Sequence, residues 1–89
     1  MKAGKLDNGF EYEIDESIFD DMRFLDALAD ANEGDPLAAS RMCSMLLGKE
    51  QKKKLYSILA DDAGHVPVEG TLNCIVKIMQ DISVEDSKN

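Results

Sequence analysis

Three places in the chain carry residue types that could do chemistry: the thiols Cys43 and Cys74, the single imidazole His65, and the acidic stretch from Asp61 to Glu69. Two thiols and one imidazole are too few for the four-ligand site that zinc takes. Both cysteines lie on apolar helical faces, where a free thiol behaves as a small hydrophobe in a reducing compartment. His65 has no nucleophile or ligand set beside it and reads as a surface loop residue. The Asp61 to Glu69 stretch has the outline of a calcium loop, but aligning Gly64 with that loop's glycine puts Leu59, Ala63 and Gly70 at the first, fifth and last ligand positions. Too few carboxylates remain to hold the ion, so the stretch reads as a turn. With no glycine-rich phosphate loop, no paired-histidine motif and no serine or cysteine placed with a base, the sequence reads as a non-enzyme without metal or cofactor.

Size and charge turn the question towards binding. Eighty-nine residues suffice for one domain with a modest core. A formal net charge of -8 repels nucleic acid and anionic membrane alike, which leaves protein partners. No apolar run approaches the roughly 20 residues that cross a bilayer, and Met1 to Lys5 leads into no apolar signal core, so the chain is expected in a cytoplasm. The charge is also divided. Asp7 to Asp35 holds eleven acids against Arg23 alone, while Lys49, Lys52, Lys53 and Lys54 form the basic cluster, an asymmetry suited to self-association or to steering an oppositely charged partner.

The elements that must position these residues read as all-α: a small bundle of four helices with an extended N-terminal arm and a disordered C-terminal tail. Residues 1–9 are expected to be flexible, residues 10–82 to form the domain, and residues 83–89 to be a flexible tail. Helices are expected at about 16–31, 36–47, 49–60 and 67–82. Asp15 caps the first, whose core stripe is Ile18, Met22, Leu25, Leu28 and Ala29; Asp35 and Pro36 start the second. Gly48 stands at a left-handed cap between the second and third, making a tight corner. Phe10, Tyr12 and Ile14 alternate with Glu11 and Glu13 as in a strand, yet no second strand is evident, so they form an arm that either clips onto the bundle or adds to a partner's sheet edge. Phe19 and Phe24 widen the apolar arc of the first helix beyond one stripe. Phe10, Tyr12, Ile14, Phe19 and Phe24 are therefore the candidate protein-binding residues.

The order of these parts resembles the small acidic tail assembly chaperones of long non-contractile-tailed bacteriophages, especially those of Gram-positive hosts. The likeness rests on Phe10-Glu11-Tyr12-Glu13-Ile14-Asp15-Glu16, Asp20-Asp21-Met22-Arg23-Phe24-Leu25-Asp26-Ala27-Leu28, Gly34-Asp35-Pro36-Leu37, Leu46-Leu47-Gly48-Lys49-Glu50-Gln51 and Gly64-His65-Val66-Pro67-Val68. It spans about residues 9–82, carried by order and spacing more than by any one motif. The resemblance implies an all-helical, non-catalytic protein that binds and solubilises the tape measure protein in the host cytoplasm. It also implies help in recruiting tail tube subunits, departure before the virion is complete, and a longer frameshifted form. A second reading belongs to another class: an acidic mimic of nucleic acid that inhibits a DNA-binding protein, weakly favoured by the acids of the first helix. Glu16-Ser17-Ile18 lies in the wrong helix to match the prosthetic-group serine of acyl carrier proteins.

Overall fold

Asp7-Asn8-Gly9 reverses the chain near its start, and that reversal changes the architecture from the one expected. The Gly9 N–H donates to the Leu6 carbonyl (2.9 Å), the Leu6 N–H donates to the Phe10 carbonyl (2.9 Å), and Gly9 takes φ +92°. This is a three-residue hairpin loop in which glycine supplies the positive φ. It joins β1 (Lys2–Lys5) to β2 (Glu11–Ile14), which pair antiparallel with Gly4 opposite Tyr12 and Ala3 opposite Glu13. The expected flexible residues 1–9 and unpartnered arm are thus one small sheet. The structure, a computed structural model, describes residues 1–87, with side chains to residue 82.

The chain continues through a 3-10 helix (Glu16–Asp20), α1 (Met22–Asn32), α2 (Pro36–Leu59) and α3 (Val68–Ser87). Three helices and a two-stranded sheet replace the expected four-helix bundle. The expected first helix is divided because Asp21 is extended (φ -119°, ψ 118°) and caps α1 through the Arg23 N–H, just as Asp15 caps the 3-10 turn through the Ser17 N–H. The expected second and third helices are the two halves of α2, kinked at Gly48 (φ 73°, ψ 174°). The positive φ agrees with the expected glycine corner. The ψ does not: it lies in an extended region open essentially to glycine alone, rather than in the left-handed helical one. α3 runs past the expected end at 82 to Ser87, so the expected tail over 83–89 is helical to that point, and 88–89 lie outside the described residues.

α2 is the spine, packed by α1, α3 and β2. Asp35 accepts from the Leu37 N–H (2.9 Å) and Pro36 occupies the first turn, so this helix starts as its sequence demands. The core joins Leu6, Phe10, Tyr12 and Ile14 of the hairpin to Phe24, Ala27 and Ala31 of α1, seven residues of α2, and Ile75, Ile78 and Ile82 of α3. Ala27 and Ala31 of α1, with Ala38 and Ala39 of α2, are buried in that core, and such small side chains allow two helices to approach closely. The hairpin is not ornamental to a small helical chain, because it supplies two of the largest fully buried side chains, Phe10 and Ile14.

Candidate protein-binding surface

Four of the five residues read as partner contacts face inward. Phe10 (1% exposed), Tyr12 (5%), Ile14 (1%) and Phe24 (0%) belong to the core. The premise that these aromatics exceed what the fold needs is therefore corrected: the hairpin consumes them. Tyr12 lies across Gly4 on the facing strand, in the space where any larger residue would put its Cβ. Only Phe19 keeps partial exposure, with its ring edge against Phe24 at 5.8 Å between centroids and 67° between planes.

Exposed apolar side chains lie elsewhere: Met1, Leu37, Ile58, Val68 and Val76 are scattered over the rest of the chain, and α1 carries a row of them. Met22 (66% exposed), Leu25 (38%) and the exposed Ala29 recur at the spacing of one helical face. All three belong to the stripe expected in the core. The helix contains two apolar phases, and the structure buries the other one, Phe24, Ala27 and Ala31, with Leu28 half-buried beside them. The signal for that choice was present: the buried phase holds the largest ring and two alanines, which suits a close helix contact, whereas the exposed one holds flexible, unbranched Met22. Leu37 at the start of α2 is a further exposed apolar residue (71%).

Carboxylates border this row. Asp20, Asp26 and Asp30 are exposed around it, and Asp30 is 3.6 Å from Arg41 of α2. Asp21 is held below the ordinary carboxylate range, first by its hydrogen bond from the Arg23 side chain (2.9 Å) and then by the Arg23 backbone N–H (2.9 Å). The result is a narrow apolar strip with a charged rim, the anatomy of a protein contact.

The other chemically able residues are occupied structurally. Cys43 is buried and Cys74 half-buried, both are free, and burial pushes each thiol upward, away from the reactive thiolate. Asp61 spends its Oδ1 on the backbone N–H groups of Ala63 and His65 (2.9 Å each), which closes the turn that resembled a calcium loop. Among the described residues no cluster of His, Cys, Asp and Glu could hold a metal ion, and no helix is long and apolar enough to cross a membrane. Comparison with protein-family models, with curated proteins and with solved structures finds no match.

Proposed function

We propose that this protein is a non-catalytic tail assembly chaperone that binds the tape measure protein of a long non-contractile-tailed phage. In this reading it keeps that partner soluble in the host cytoplasm, helps recruit tail tube subunits, and leaves before the virion is complete. The observation that supports the reading is the exposed row Met22, Leu25 and Ala29, bordered by Asp20, Asp26 and Asp30. A tape measure is a long helical chain with extended apolar faces, which aggregate unless covered. A helix in a groove or along a face is read through anchors one turn apart, and Met22 and Leu25 have that spacing. The acids alongside then carry solubilising charge into the complex.

This reading moves the contact from the Phe10 to Ile14 segment, whose apolar side chains are enclosed, to the outer face of α1. Co-expression tests it. With the wild-type chain the tape measure stays in the supernatant; with Met22→Asp and Leu25→Asp combined, and the fold intact by circular dichroism, it pellets. A tape measure kept soluble by that variant removes the α1 face from the account, and a tape measure that pellets even with the wild-type chain removes the chaperone function.

A further inference from the structure

We propose that the lysine-bearing face of the second half of α2 is a docking site for an acidic helical segment of a partner protein. Beyond the Gly48 kink, Lys49, Lys52, Lys53 and Tyr56 fall on one side of the helix, at offsets of three, four and seven residues from the first, and the extended cap residue Ala60 follows. They surround a shallow depression of about 470 Å³, which Ser57 completes and no acid lines.

The charge here is unspent. The chain has 18 acids and 10 bases, yet among the described residues none of Lys49, Lys52 and Lys53 is in an ion pair. Lys49 and Lys53 are exposed, and among the described residues no hydrogen bond or ion pair holds either side chain. Lys52 differs: its Nζ donates to Ser44 Oγ across the kink (2.7 Å) and sits 5.6 Å from the Tyr56 ring centroid. That fixes one positive charge beside an apolar floor made by the Tyr56 ring, Ala60 and the lysine stems, so part of the ordering cost of binding is met in advance.

The occupant follows from this layout. Lys49 and Lys53 are four residues apart, about 6 Å along the helix axis. Carboxylates one turn apart on a facing helix match them, with an apolar side chain about one turn beyond the acid that meets Lys53, over Tyr56. A long polyanion fits less well, because Asp61 and Asp62 follow directly after Ala60 and Glu50 lies on the flank. A second copy of the chain is disfavoured by its own charge of -8, whereas a short segment brings only a few carboxylates. Repulsion from more distant acids is screened beyond about 8 Å at physiological ionic strength. This surface is independent of the α1 row and does not require the tape measure reading.

The probe is a short helical peptide with glutamates one turn apart and a leucine a further turn along the same face, titrated against the whole chain by fluorescence anisotropy. It should bind, and lose about tenfold in affinity or more when Lys49→Glu and Lys53→Glu are combined. It should also weaken as salt is raised towards 1 M, where the Debye length is about 3 Å. The Met22→Asp and Leu25→Asp chain should bind it like the wild type. Each of four results overturns the proposal: equal binding of the same peptide with Gln in place of Glu, unchanged binding by the lysine variant, tighter binding of a DNA oligonucleotide or an anionic vesicle, or sedimentation showing that wild-type copies pair and the lysine variant does not.

Discussion

Gln51 and Glu13 are bonded reciprocally: the Glu13 N–H donates to Gln51 Oε1 (2.6 Å) and Gln51 Nε2 donates to the Glu13 carbonyl (2.8 Å). A side-chain amide thus pairs with the outer edge of β2 as a neighbouring strand would. The same Nε2 donates to the Leu47 carbonyl (2.8 Å), the residue before the Gly48 kink. Only one orientation of the amide satisfies all three bonds, so the kink in α2 and the placement of the hairpin are a single arrangement.

Replacing Gln51 should therefore loosen two elements together. Gln51→Ala is expected to cost about 0.5–1.5 kcal/mol, the net worth of an ordinary hydrogen bond, since both Glu13 bonds are exposed and only the Leu47 bond is part-buried. Gln51→Glu should cost at least as much, since a carboxylate cannot donate to either carbonyl. Urea unfolding of both variants checks this, with the two expected to fall on the same side of wild type.

Gly48 at φ 73°, ψ 174° has open space where a Cβ would go, so any penalty there is one of backbone strain and not of collision. Gly48→Val should cost about 1–3 kcal/mol, which lowers Tm by roughly 4–8 °C per kcal/mol in a domain of this size. An unchanged Tm would mean that the helix can straighten at no cost.

At Gly4 the penalty is steric instead. An added Cβ would meet the Tyr12 ring, with Cζ at 2.5 Å. Gly4→Ala should destabilise by about 1–3 kcal/mol through overpacking. The loss should shrink when Tyr12→Leu is already present, a coupling that a double-mutant cycle reads directly.

Alkaline pH should weaken the fold. Burial raises the Cys43 thiol above its ordinary 9.0, against smaller opposing effects of Lys52 and Tyr56, and burial likewise raises Tyr56 above 10.0. Both neutral forms are favoured in the folded chain, so their contribution is complete below the unfolded thiol value and is lost as pH rises through the folded ones. Stability measured by urea should fall from about pH 9 upward, and Cys43→Ala should flatten that fall.

These outcomes separate what was legible in the residues from what was not. Asp35, Pro36 and the positive φ of Gly48 announce themselves because capping and positive φ are local properties, whereas Asp15 caps only the 3-10 turn and Asp21 starts α1. The hairpin did not, because β1 has no large apolar residue, Leu6 comes only after its end, and Gly4 is covered by Tyr12 from the other strand. Reading Asp7-Asn8-Gly9 as a three-residue turn would have found it. The rotation of α1 was hidden for a different reason. Met22, Leu25 and Ala29 are as apolar as Phe24, Ala27 and Ala31, so periodicity alone offers two faces, and the choice rests on side-chain size, the two alanines suiting a close helix contact.

If the outer face of α1 is the contact with the tape measure, calorimetric titration of the purified chain with a soluble tape measure segment reads that contact. Met22→Ser combined with Leu25→Ser should weaken Kd by about tenfold or more, and the wild-type interaction should show the negative heat-capacity change of apolar burial. Tyr12→Phe, an enclosed change, should bind as the wild type does. Equal affinity of the α1 variant and the wild type would contradict the account.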